Sequence, residues 1–181
     1  MPPADLTLPS TLLVLGGARS GKSRFAEARI RACGLAPVYL ATATAGDAEM
    51  AERIAHHRAR RGADWRVVEE PLDLVEALQG CAARDSAVLV DCLTLWLSNL
   101  MHAGRDVERE AARLVAWLAA APGPVALVSN EVGLGLVPET PLGRSFRDAQ
   151  GRLNQQVAAV AAEVVFVAAG LPLWLKGAAA G

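Results

Sequence analysis

Apolar residues in this chain come in short unbroken runs rather than in alternation. Residues 11–15, 38–42, 87–91, 125–129 and 164–168 are such runs, and residues 173–176 are a candidate for one more. Continuous apolar runs of this length mark strands buried on both faces of a parallel sheet. Helix-length segments lie between them, over 22–32, 47–61, 72–78, 93–102, 107–120 and 142–162. The segment 47–61 opens on Asp47 at a capping position and holds no Gly or Pro, and Pro141 stands at the first turn of the last segment. Strands alternating with helices predict a layered α/β fold, a mostly parallel sheet flanked by helices. No repeat or linker interrupts the pattern, so a single domain over residues 1–181 is expected. Its first ten residues, a non-periodic leader with prolines, and the tail 177–181 are expected to be flexible.

Composition raises one competing picture. The chain is 52% apolar with a mean hydropathy of +0.27, greasy enough to suggest a membrane protein. A spanning helix needs about 20 continuous apolar residues. The longest uncharged run, 114–130, is cut by Pro122, Gly123 and Pro124, and the run 164–175 contains Gly170 and Pro172. No span is therefore predicted, and no charged segment followed by an apolar stretch opens the chain as a secretory signal would. Alanine accounts for 36 of the apolar residues and raises the average without making lipid-facing surface. Part of the remainder, around residues 96–101 and Trp117, is expected to be subunit surface. Cys33, Cys81 and Cys92 lack metal-ligand spacing and read as reduced thilos of a cytoplasmic protein. The net charge of -1 argues against nucleic-acid binding through bulk positive charge.

Candidate chemistry begins after the first apolar run. Gly16, Gly17, Ala18, Arg19, Ser20, Gly21, Lys22 and Ser23 satisfy G-x-x-x-x-G-K-[ST] in full, between a strand and a helix. Glycines let successive backbone N–H groups turn toward phosphate oxygens, and the helix N-terminus adds its positive end. Lys22 would place a point charge on the β- and γ-phosphates, and the Ser23 hydroxyl would ligate Mg²⁺. Lysine is otherwise scarce, Lys176 being the only other one. In such phosphate-loop proteins (P-loop NTPases) a second acid ends another buried strand and holds Mg²⁺; Asp91, after Val88, Leu89 and Val90, fits that place, although it could equally cap the next helix.

A second centre lies in 47–61, where His56 and His57 stand among Arg53, Arg58, Arg60 and Arg61. Adjacent helical residues point about 100° apart, so the two histidines cannot share a metal-ligand face. The arginines favour a bound anion and depress the pKa of a nearby imidazole, keeping it neutral and nucleophilic. Attack of such a histidine on phosphorus gives a phosphoramidate that can pass its group on. A solvated basic helix is the plainer alternative. Glu131, after the buried run 125–129, lies where α/β sheets bind ligands and could orient or deprotonate a substrate hydroxyl; a turn with a helix cap would look the same.

These stretches together resemble a family. Gly16 to Arg24, the run Tyr39-Leu40-Ala41-Thr42, the block from Asp47 to His57, Trp65-Arg66 with Glu69, and Leu93-Thr94 with Trp96, Leu97, Asn99 and Leu100 all match it in order. So do Ser129 to Pro138 and the stretch from Phe146 to Gln155. The chain resembles the bifunctional adenosylcobinamide kinases / adenosylcobinamide-phosphate guanylyltransferases of cobalamin biosynthesis. The resemblance implies a RecA-like phosphate-loop core, a homotrimer and a need for Mg²⁺. It implies that adenosylcobinamide is phosphorylated with ATP or GTP, and that GMP from GTP is then transferred onto that phosphate with release of pyrophosphate. The guanylyl group would travel on a histidine, and the matching position is His56. Nucleotide contacts would fall on the phosphate loop, on Ala41, Thr42 and Ala43, on His57, Arg58, Ala59 and Arg60, and on Glu69 and Asp91. The acid at the end of the strand is commonly Glu in the family and is Asp91 here. Trp96, Leu97 and Leu100, at helical spacing, read as core or subunit contact rather than a corrinoid platform. Two other readings remain at this point: a simple small-molecule kinase without a covalent step, and a nucleotide-binding regulatory protein.

Overall fold

The computed structural model describes residues 8–43 and 64–177. The predicted helix over 47–61, with its histidines and arginines, lies outside the described residues. The strands are β1 (Thr11–Gly16), β2 (Ala36–Ala41), β3 (Arg66–Glu69), β4 (Ser86–Asp91), β5 (Val125–Asn130), β6 (Glu163–Ala168) and β7 (Leu171–Lys176). The described helices are α1 (Lys22–Ala32), α2 (Leu74–Cys81), α3 (Leu93–His102), α4 (Val107–Leu118) and α5 (Pro141–Val160). Among the described residues, the strands form one seven-stranded sheet in the order β3-β2-β4-β5-β1-β6-β7. All neighbours are parallel except β6 and β7, which form an antiparallel hairpin.

The apolar runs do what their continuity predicts. In β1, Leu13 and Leu15 join the core on the face covered by α2 to α5, while Leu12 and Val14 pack on the other face beneath α1. In β4, Val88 and Val90 face one way and Ala87 and Leu89 the other; β5 divides its residues in the same manner. A strand with no solvent face has no reason to alternate in polarity.

Two departures occur at the margins. The strand β3 was not expected from the pattern, because it is short, lies at the sheet edge and exposes Arg66, Val67 and Glu69. Charged residues on an edge strand discourage pairing with other chains and also erase the apolar signal. The strand β7 begins at Leu171 rather than 173, because Pro172 is tolerated on an edge. Helix ends follow local chemistry: the Asp106 carboxylate accepts from Arg109 N–H at the start of α4, and the Thr140 hydroxyl accepts from Gly143 N–H at the start of α5, where Pro141 follows the cap.

The expected subunit surface on α3 is corrected. Trp96 is 1% exposed and Leu97 and Leu100 are fully buried in the chain's own core, and Trp117 packs partly buried against it. Among the described residues, the exposed large apolar side chains lie elsewhere: Val67 on β3, Leu134, Leu136 and Val137 after β5, Leu142 on α5, and Leu171, Leu173 and Leu175 on β7. Among the described residues, no helix is long and apolar enough to cross a membrane.

Candidate active site

Strand register gathers the candidate residues at one edge of the sheet. Ala41 pairs with Glu69 on one side and Asp91 on the other, and Gly16 pairs with Asn130. The C-terminal ends of β3, β2, β4, β5 and β1 thus share one edge, where ligands of parallel α/β sheets bind.

The phosphate loop runs from β1 into α1. A Cβ on Gly16 would lie 2.5 Å from the Val167 carbonyl oxygen and 2.6 Å from Ser20 Oγ, so the loop tolerates no side chain there. Gly21, at φ 98°, takes the left-handed conformation just before α1, and a Cβ on it would lie 3.2 Å from Gly170 Cα. The β6–β7 turn is therefore the wall of the loop, and Gly170 N–H donates to Ser20 O at 2.8 Å. Helix α1 opens without a side-chain cap. Its first N–H groups and positive end remain available to an anion. Ala18 and Arg19 are exposed, Gly17, Ser20 and Ser23 are half-buried, and Ser20 Oγ has no hydrogen-bond partner among the described residues.

Lys22 is nearly buried, and its Nζ donates to Gly17 O at 3.0 Å. Burial pulls its pKa below the usual lysine value, and the charges of Cys92 and Asp91 act against that shift. Asp91 is half-buried and accepts a hydrogen bond from Tyr39 Oη at 3.1 Å. Beside it the Cys92 thiol is pushed up to about 11 by burial and by the Asp91 charge. It stays protonated at neutral pH and is no nucleophile.

Thr42 is fully buried at the end of β2. Its hydroxyl donates to Cys92 O at 2.7 Å and accepts from Cys92 N–H at 2.8 Å, joining β2 to β4. Ala43 and Ala41 are half-buried, and Glu69 is exposed at the end of β3. The structure brings together the phosphate loop, Ala41, Thr42, Ala43, Glu69 and Asp91. His56, His57, Arg58, Ala59 and Arg60 lie outside the described residues.

Three groups at this edge carried no sequence signal of their own. Tyr39 reads as one more apolar position of a strand, yet holds Asp91. Asn99 Nδ2 donates to Thr42 O at 2.8 Å and to Pro71 O at 3.1 Å. Gln150 and Asn154, one turn apart on α5, form a buried network with Ser129: Ser129 Oγ donates to Asn154 Oδ1 at 2.7 Å, and Gln150 Nε2 donates to both at 2.9 Å. Asn154 Nδ2 then donates to Asn130 O at 3.1 Å, Asn130 N–H donates to Thr94 Oγ1 at 2.8 Å, and Glu131 N–H donates to Gly16 O at 3.1 Å. The end of β5 is thereby tied to α5, α3 and the phosphate loop. The only sequence trace was that Tyr39, Asn99, Ser129 and Asn154 fall inside family-like stretches.

An uncapped helix N-terminus, a cation and a carboxylate at one sheet edge can bind a polyphosphate and steady charge on it. Among the described residues, no group of three or more His, Cys, Asp or Glu is placed to hold a metal by itself. A cavity of about 340 Å³ lies at the opposite ends of β2, β3 and β4, lined by Pro37, Arg66, Cys81, Asp85 and others, away from this chemistry.

Solved structures with this fold include the flagellar accessory protein FlaH from Methanocaldococcus jannaschii. Its TM-score is 0.53 at 10% identity, covering 94% of this chain and 80% of that one. The RadB recombinase gives 0.52 at 15% identity, covering 88% and 75%. Such likeness shows a shared fold, the mostly parallel sheet flanked by helices that was expected. Sequence comparison goes further. The chain is 53% identical over 169 residues to the bifunctional adenosylcobalamin biosynthesis protein CobP of Pseudomonas aeruginosa, covering 91% of this chain and 96% of that protein. It is 42% identical over 182 residues to the protein of the same description, CobU, of Salmonella typhimurium, covering 91% and 99%. Residues 12–175 match the family described as cobinamide kinase / cobinamide phosphate guanyltransferase, and the chain belongs to that family.

Proposed function

We propose that one nucleotide site at this sheet edge serves both activities, with a covalent guanylyl group on His56 in the second. The observation that supports this is the meeting of Lys22, Asp91 and the exit of β2 at one edge, with Ala43 leading in sequence toward His56. In the kinase step the corrinoid hydroxyl attacks the γ-phosphorus and the bond to the β-phosphate oxygen breaks. Lys22 and the α1 N-terminus steady the charge on the phosphates, and Glu131 takes the hydroxyl proton. In the transfer step neutral His56 attacks the α-phosphorus of GTP, a P–N bond forms and pyrophosphate leaves. An oxygen of cobinamide phosphate then attacks the same phosphorus, the P–N bond breaks, and the GDP-linked corrinoid is formed.

The phosphate loop from Gly16 to Ser23, with Ala41, Thr42, Ala43, Glu69 and Asp91, lines the nucleotide in this reading, and His57, Arg58, Ala59 and Arg60 complete it. Ser23 and Asp91 would hold Mg²⁺. A hydroxyl and a carboxylate are the hard oxygen donors this ion takes when phosphates supply the rest. Bound Mg²⁺ neutralises phosphate charge. A cytoplasmic homotrimer completes the reading. Its support is three free thiols and two exposed apolar surfaces, on β7 and after β5.

Incubation with GTP labelled at the α-phosphate, followed by denaturation, tests the covalent step. Label on the protein that resists base and is lost in acid is expected, and its absence from His56→Ala. Kinase turnover in a wild-type protein that never takes label selects a single-activity kinase instead.

A further inference from the structure

Asn130 has no part in the chemistry described so far, yet it ends the strand that lies between β4, which carries Asp91, and β1, which leads into the phosphate loop. Its register partner is Gly16, the first residue of that loop. Alternation along the strands fixes the face on which its side chain projects. Val125 and Leu127 belong to the core under α2 to α5, Ala126 and Val128 to the core under α1, and Ser129 turns back to bond Gln150 and Asn154 on α5. Asn130 therefore projects on the α1 face. Asp91 lies on that face too, where Tyr39 of the α1-side core reaches it. Helix α1 itself crosses β1, β4 and β5. Lys22, at its start, bonds Gly17 on one side and feels the charge of Asp91 on the other, so the end of β5 lies between the two.

The backbone at Asn130 is braced from three directions. Its N–H donates to Thr94 Oγ1 on α3 at 2.8 Å, and its carbonyl accepts from Asn154 Nδ2 on α5 at 3.1 Å. The next residue is tied to the phosphate loop through Glu131 N–H and Gly16 O. The turn that follows is closed by the Glu131 carboxylate, which accepts from Gly133 N–H, so Asn130 is not needed to form it. Its own amide is half-buried and enters no hydrogen bond among the described residues. A fixed backbone carrying an unspent amide is a preorganised hydrogen-bond donor.

We propose that the Asn130 side-chain –NH₂ binds the terminal phosphate of the nucleotide and lets the site tell a triphosphate from a diphosphate. In such a loop the backbone cradles the α- and β-phosphates and the lysine reaches the β- and γ-phosphates. A donor placed beyond the lysine, toward Asp91, meets the γ-phosphate. An amide donates there without bringing a charge that Asp91 would neutralise. This rests on the reading of this sheet edge as the nucleotide site.

The test measures binding to the full chain of guanosine α,β-methylene triphosphate, which cannot release GMP, and of GDP, both with Mg²⁺. Asn130→Ala is expected to weaken the triphosphate roughly 10- to 100-fold, the loss of one hydrogen bond to a charged group, and GDP by less than about twofold. Asn130→Asp keeps the shape, replaces the donor with a negative charge and should weaken the triphosphate further; it carries the test if Asn130→Ala does not fold. A GDP loss as large as the triphosphate loss, or no triphosphate loss, overturns the assignment. Lys22→Ala should weaken both nucleotides. Wild-type affinity for both in Lys22→Ala overturns the nucleotide reading of the edge instead, so the two failures are distinguishable.

Discussion

The phosphate loop after β1 and the joined ends of β2 and β4 lie on the same edge and are built in opposite ways. The loop works by lacking side chains. Gly16 leaves room for the Val167 carbonyl, Gly21 turns the chain, and α1 begins with no cap. Its polar backbone stays open to a ligand. The β2–β4 junction works by using side chains up. Tyr39 is spent on Asp91, Thr42 on Cys92, and Asn99 on Thr42 and Pro71. A surface meant to receive charge and a surface meant to hold direction place opposite demands on hydrogen bonding, and here they are neighbours across one strand.

The largest effect should come from filling the loop. Gly16→Ala puts a methyl against backbone at 2.5 Å, a clash that cannot be relieved by turning a flexible side chain. A stability loss of about 2–3 kcal/mol is expected, with loss of nucleotide binding, read by thermal unfolding with and without GTP. Gly17→Ala is the control, since a Cβ there meets nothing within 4 Å; a Gly17→Ala protein as unstable as Gly16→Ala would remove the contrast. Next comes the junction. Thr42→Val keeps the shape but leaves Cys92 N–H without its acceptor, whereas Cys92 O retains a bond from Trp96 N–H. A loss of about 1–2 kcal/mol in denaturant unfolding is expected, with nucleotide affinity little changed. Nucleotide binding lost in step with Gly16→Ala would show that the two regions are not separable.

The smallest effect is a pH dependence at the junction. The Cys92 thiol has its pKa raised from 9.0 to about 11 in the fold. Between those values the folded state holds a proton the unfolded state has released, so this group's contribution to stability is complete below about pH 9 and is lost as pH rises toward 11. Lys22 acts in the opposite sense. Its folded pKa lies below 10.5, so in the window under that value the unfolded chain binds more protons and stability from Lys22 rises with pH. Melting curves across the alkaline range for wild type and Cys92→Ala should show a shallower decline in the variant. Identical slopes would mean the thiol is less enclosed than its burial indicates.

Legibility in the sequence followed the same division. The loop was readable as a motif because its function fixes residue types at fixed spacing within one short segment. The central strands were readable because burial on both faces leaves unbroken apolar runs, as in β1, β4 and β5. Asp91 was readable as an acid at the end of such a run. The junction was not. Nothing in the pattern around Thr42 shows that its hydroxyl is committed to the Cys92 backbone. Asn99 meets Thr42 across 57 positions of sequence, and Tyr39 meets Asp91 across 52, distances over which no periodicity speaks. β3 escaped because an edge strand that must resist pairing looks like a loop.

The hairpin wall of the phosphate loop has a consequence for how the protein is made. The loop's backbone closes on Gly170 and Val167, residues the ribosome delivers long after Ser20. A nascent chain therefore carries the complete motif without its complete cradle. Nucleotide cannot lend its binding energy to the early strands during synthesis; it rewards only a chain whose β6–β7 turn has already come home.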